Sequence, residues 1–199
     1  MNALEGIVGA EQKKKQRWVA MGTMSTVGAV LIGLNALHIS LVAFGNVTDF
    51  ATNQAFVQHV LSMDTTNFGS PTGQGLNPAV MWHAIASRPV QDAAYIALIG
   101  WEVLAGLVLG AATILWVVAR SEDYRTRARA LATIGLTMTI VLFVGGFLDI
   151  GGEWFQMWRS AQWNGTEAAF RNAVLALLTL LVIHHPGVAT ERSWCAHGL

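Results

Sequence analysis

Long apolar runs broken by short polar stretches dominate the chain. Four runs stand out, at residues 18–44, 93–119, 130–150 and 168–183. A helix needs about 20 apolar residues to cross a bilayer, with a working range of roughly 17–25. The first three runs meet that length. The fourth is shorter, and crosses if Arg171 and His184 reach outward to the two interfaces. The pattern predicts an all-α integral membrane four-helix bundle over residues 18–185, with helices at about 18–44, 93–119, 130–152 and 167–185. Residues 1–17 form a basic segment before it, and residues 186–199 a tail after it.

The loop at 45–92 is too long to be a simple connection. Asp49 is placed to cap a helix whose apolar residues Phe50, Val57, Val60 and Leu61 recur with helical spacing. Residues 62–78 are rich in Gly, Thr, Asn and Pro and read as irregular. Asn77 and Pro78 then open a second short helix, 79–87, which Arg88 and Pro89 end. Together the two short helices predict a cap over the outer mouth of the bundle. The alternative places them flat at the lipid interface.

Residues 145–171 read as a hairpin at the membrane surface. They carry Trp154, Trp158 and Trp163, the acids Asp149, Glu153 and Glu167, and the bases Arg159 and Arg171. Indoles favour the interface because the ring is apolar and its N–H is not. With Trp82 and Trp101 these three form an expected interface aromatic belt. The three hairpin tryptophans are expected to pack under the short helices of the cap. Asp149, Glu153 and Arg171 are expected to join in one polar cluster beside them.

Composition agrees with a membrane class. The chain is 53% hydrophobic and 12% charged, against about 25% charged in soluble domains. Net charge is zero, and no basic surface points to nucleic acid. The placement of charge is more informative. Lys13, Lys14, Lys15, Arg17, Arg120, Arg125, Arg127, Arg129 and Arg192 fall on one side; only Arg88, Arg159 and Arg171 fall on the other. The positive-inside rule then puts both termini in the cytoplasm. The first run is too long for a cleaved leader and reads as a signal anchor. The single Cys195 excludes an internal disulfide and lies one residue too far from the end for a prenylation box.

The candidate chemistry lies in polar residues inside the spans. Asn35, His38, Glu102, Asp149, Glu153 and Arg171 all map to the outer half of the bundle. Ionisable groups there are costly, and point to function or to a buried partner. On the second helix Glu102, Gly106 and Gly110 share a face, so Glu102 turns toward other helices and not toward lipid. On the third, Gly135, Thr139, Leu142, Gly146, Asp149 and Glu153 form one face at α-helical spacing. Glu102 could be structural, paired with His38, Arg171 or a backbone donor, or protonated. It could also belong to an apolar pocket with convergent polar groups, which would suit a quinone or a lipid.

No cofactor is required by the sequence; quinone and haem b are the two its residues admit. Haem b would need a second histidine facing His38. His184, His185, Cys195 and His197 lack the spacing of a metal site. The inner halves of the helices show no polar chain of the kind a proton or ion path needs. No catalytic motif appears: there is no phosphate loop, GxSxG or HExxH.

Several pieces together resemble one family. They are QHVLSMDTT at 58–66, MWHAI at 81–85, the pair Trp101 and Glu102, and GGEWFQMW…WNG…AFR within 151–171. The family is that of predicted small integral membrane proteins of bacteria, catalogued as a domain of unknown function. The resemblance covers about residues 18–185 and implies four helices, with no assigned activity. Where the family usually has an arginine, this chain has His83.

Two function classes follow. One is a non-catalytic accessory or anchoring subunit of a membrane complex, in contact with the lipid bilayer and with other membrane subunits or further copies of itself. The other is a redox or small-molecule-binding subunit, quinone foremost, with its site in the outer half.

Overall fold

The computed structural model describes residues 23–119 and 121–186. The basic segment 1–17, the predicted helix start at Trp18, Arg120, and the tail with Arg192, Cys195 and His197 lie outside them.

Thr23 opens the first helix, its hydroxyl accepting from the Thr26 amide. This helix, α1, runs Met24–Thr48 and so passes the expected end at Phe44 to take in Asn46. After a break at Asp49, α2 runs Phe50–Ser62. Asp49 holds the N-cap position without bonding a backbone amide; its carboxylate accepts from the Thr52 hydroxyl instead. The second expected short helix is reduced to a 3₁₀ turn, Met81–His83.

Helix α3 runs Arg88–Val118, so Arg88 and Pro89 start a helix where an end was expected. Proline fits in the first turn because the N–H it lacks has no intrahelical partner there. Helix α4 begins at Glu122 behind Ser121, whose hydroxyl accepts from the Tyr124 amide. Arg125, Arg127 and Arg129 are therefore helical, not part of the connection they were expected to occupy. Glu122 and Asp123 in the first turn suit the positive end of the helix. After Ile140 the same helix continues as a π-helix over Val141–Trp154. Helix α5 runs Thr166–His184.

Four helices, Met24–Thr48, Arg88–Val118, Glu122–Trp154 and Thr166–His184, are long and apolar enough to cross a membrane. They form a ring in which α3 packs on α1 and α4, and α5 closes it against α4 and α1. The core is made of Ile32, Ile39, Leu109, Leu136 and Ile183, with small residues such as Ala105, Ala132, Ala173 and Ala176 between them. Small side chains let backbones approach where lipid supplies no hydrophobic drive between helices. A Cβ added to Gly106 would lie 2.7 Å from Ser40 Oγ, and one added to Gly135 would lie 2.6 Å from Leu109 Cγ. Gly110, on the same expected stripe as Gly106, has open space instead. Outside, Leu34, Leu37, Leu41, Leu107, Ile114 and Leu181 are exposed and form the apolar surface that lipid covers.

The π segment decides which side chains point inward. Its hydrogen bonds close over five residues instead of four, as in Phe155 N–H to Ile150 C=O at 2.9 Å. Buried positions accordingly recur at wider steps: Leu142 and Phe143, then partly buried Phe147, then Gly151 and Gly152. The face expected from α-helical spacing holds through Gly135, Thr139 and Leu142 and then turns away. Asp149 and Glu153 fall on the exposed side.

Candidate functional site

Glu102 is 2% exposed and faces the interior of the bundle. Its partner is neither His38 nor Arg171. Asn46, in the last turn of α1, donates from Nδ2 to Glu102 Oε2 at 2.7 Å. Asn53 of α2 donates in turn to Asn46 Oδ1 at 2.6 Å. The Tyr95 hydroxyl donates to the Asn46 carbonyl at 3.2 Å, and the Tyr95 ring packs on Phe50. A polar chain thus runs from the exposed Asn53 on the cap down to a buried carboxyl.

That carboxyl lines a cavity of about 230 Å³, walled by Asn46, Asn53, Phe56, Tyr95, Phe143 and Phe147 among others. Gly165, at the start of α5, also lines it and packs closely on Phe56; a Cβ there would come within 3.1 Å of that ring.

A second, larger cleft of about 440 Å³ opens sideways between α1 and α5. Asn35, His38, Thr139, Asn172 and Thr179 line it, with leucines around them. Asn35 Nδ2 donates to Thr179 Oγ1 at 3.0 Å and to the Leu31 carbonyl at 2.9 Å. The Thr139 and Thr179 hydroxyls donate to carbonyls one turn back. The His38 ring and the Asn172 amide have no hydrogen-bond partner among the described residues, and His38 is exposed. These positions lie roughly 9–20 Å along α1 and α5 from the cap end, at 1.5 Å per residue.

The six expected polar residues therefore do not meet. Asn35 and His38 line the lateral cleft, and Glu102 sits under the cap. Among the described residues Arg171 pairs with Glu167 alone, at 3.6 Å on an exposed surface. Asp149 and Glu153 form no ion pair with it, because the π winding carries them off the face that α5 covers. The sequence reading missed Asn46, assigned to a loop, together with Asn53, Tyr95 and Asn172.

The aromatic residues are joined to the cap one by one. Trp163 stacks on His59 of α2, with ring centroids 4.7 Å apart, and meets Phe56 edge-on. Trp154 stacks on His83 at 4.4 Å and meets Trp82 edge-on. Trp158 meets Phe68 edge-on. Trp154 and Trp158 nonetheless stay 49% and 48% exposed. His83 contacts the Trp154 carbonyl through Nδ1 at 2.9 Å. A carbonyl only accepts, so Nδ1 carries the hydrogen. His59 Nδ1 meets Asp64 at 2.8 Å, which fixes the loop after α2. Backbone bonds from Phe68 N–H to Arg159 C=O and from Ile85 N–H to Leu61 C=O tie the cap together. Trp101 stands apart from these, on the wall of the bundle, donating to the Met138 carbonyl.

Among the described residues no three His, Cys, Asp or Glu side chains come close enough to hold one metal ion. What the arrangement offers is one buried carboxyl lining an aromatic cavity, and one lateral cleft with spare hydrogen-bonding groups. The chain matches no curated protein and no solved structure. The model of one family of unknown function, described as "Predicted small integral membrane protein (DUF2165)", matches residues 24–186, and the chain belongs to that family.

Proposed function

We propose that the protein is a non-catalytic accessory subunit of a bacterial inner-membrane complex, attached through the α1–α5 face. The observation that carries this reading is the lateral cleft. His38 and Asn172 face hydrocarbon depth with no partner of their own among the described residues. A polar side chain there costs free energy until something bonds it, since lipid tails cannot. A helix from another subunit with a hydrogen-bonding residue would satisfy both groups. The charge distribution supports a cytoplasmic location for both termini, with the cap facing outward.

The same cleft also supports a second reading, a lipid-soluble small molecule with polar carbonyls, such as a quinone. Its volume of about 440 Å³ lies within the range of ligand pockets, roughly 300–1,000 Å³.

Purification of the full chain in mild detergent tests the two together. Mass spectrometry of co-purifying subunits and lipids, with an optical spectrum, is the readout. A stoichiometric second membrane protein supports the first reading. A stoichiometric quinone without a protein partner supports the second and overturns the first.

A further inference from the structure

We propose that the cavity beneath α2 binds a small organic cation, with an ammonium group paired to Glu102 and its alkyl groups against aromatic walls. Three observations carry this. First, Glu102 is an acid buried without a base. Neither ion pair found among the described residues, His59 with Asp64 or Arg171 with Glu167, involves it. Asn46 engages one of its two oxygens, and an amide donor does not neutralise a carboxylate. A buried carboxyl avoids an uncompensated charge either by holding a proton or by pairing with a cation, and the cavity beside Glu102 gives a cation room to take the proton's place.

Second, the walls suit one class of cation. Phe56, Tyr95, Phe143 and Phe147 line the cavity with Glu102. Ring faces carry negative potential and attract ammonium groups, most strongly when water is excluded. A bare metal ion is poorly served here. Calcium takes six to eight oxygen ligands, and most of this lining is hydrocarbon. Third, there is a way in. Asn53 and Val57 of α2 form the upper lining, and Asn53 is exposed on the cap. The chain from Asn53 through Asn46 to Glu102 gives an entering cation polar groups along its path.

The test is isothermal titration calorimetry of the full-length protein in detergent with methylammonium and tetramethylammonium chloride. Sodium chloride at equal ionic strength and neutral tert-butanol are the controls. At least one ammonium should bind saturably at one site, and the controls should not. Glu102→Gln should weaken binding by at least about tenfold, as expected for loss of a buried charge partner. Phe147→Leu should weaken it less. If Glu102→Gln does not fold, Val57→Trp provides the check: it fills the cavity from the cap and should abolish binding while helical circular dichroism persists. Absence of saturable binding of either ammonium would overturn the proposal. So would equal binding of tert-butanol, or undiminished affinity in the folded variants.

Discussion

The indole N–H of Trp101 on α3 donates to the carbonyl of Met138 on α4 at 3.0 Å. Met138 lies just before the helix changes from α to π winding, where the Val141 amide reaches the Met138 and Thr137 carbonyls. Such a change disturbs the regular pairing of backbone acceptors, and lipid supplies no donor to replace one. Trp101, expected from sequence in the interface aromatic belt, bridges two helices. Trp101→Phe should lower stability in detergent by about 0.5–1.5 kcal/mol. Trp158→Phe is the control, since its N–H has no partner among the described residues. Equal melting of the two variants would show that the bridge contributes nothing.

Gly135 and Gly110 should respond oppositely to alanine. A methyl at Gly135 collides with Leu109, which is fully buried and cannot swing away. Overpacking of this kind costs about 1–3 kcal/mol. At Gly110 the added methyl meets nothing within 4 Å, and alanine is the better helix former by up to about 1 kcal/mol. Melting curves of Gly135→Ala below wild type and Gly110→Ala at or above it are expected. The reverse order would mean that α3 and α4 do not cross at Gly135.

Asn46→Ala should destabilise the protein by about 1–3 kcal/mol, because it leaves the Glu102 carboxyl buried without its donor. The double variant Asn46→Leu with Glu102→Leu removes both partners and should cost less than Asn46→Ala alone. A double variant that is worse than either single change would contradict the pairing.

Arg171→Ala should melt with wild type. Its contact with Glu167 is an exposed pair one helical turn apart, and such pairs contribute about 0–1 kcal/mol. Arg125 is the more embedded of the two, with Nη1 donating to Ser25 Oγ at 3.4 Å. Arg125→Ala should therefore be the less stable variant. If Arg171→Ala were the one to lose stability, Asp149 and Glu153 would have to lie beside it after all.

The membrane class and the four spans were legible because twenty-residue apolar runs are a strong, local signal. The inward turn of Glu102 was legible from its register with Gly106. What was hidden has particular causes. A π-helix has no composition of its own, so Asp149 and Glu153 were placed on an α-helical face that does not continue past Leu142. Asn46 reads as loop because Gly45 precedes it, yet α1 continues to Thr48. Arg88 and Pro89 carry the same ambiguity in small: proline marks a helix boundary, without saying whether it begins or ends there.

Photo-crosslinking in living cells tests the central claim most directly. A benzoylphenylalanine at Leu34 lines the lateral cleft and leaves Asn35, His38 and Asn172 in place. The same probe at Leu107, exposed on α3 away from the cleft, is the control. The account predicts a discrete adduct to a second membrane protein from Leu34 and none from Leu107. Adducts to lipid or small molecules alone from both positions would contradict it.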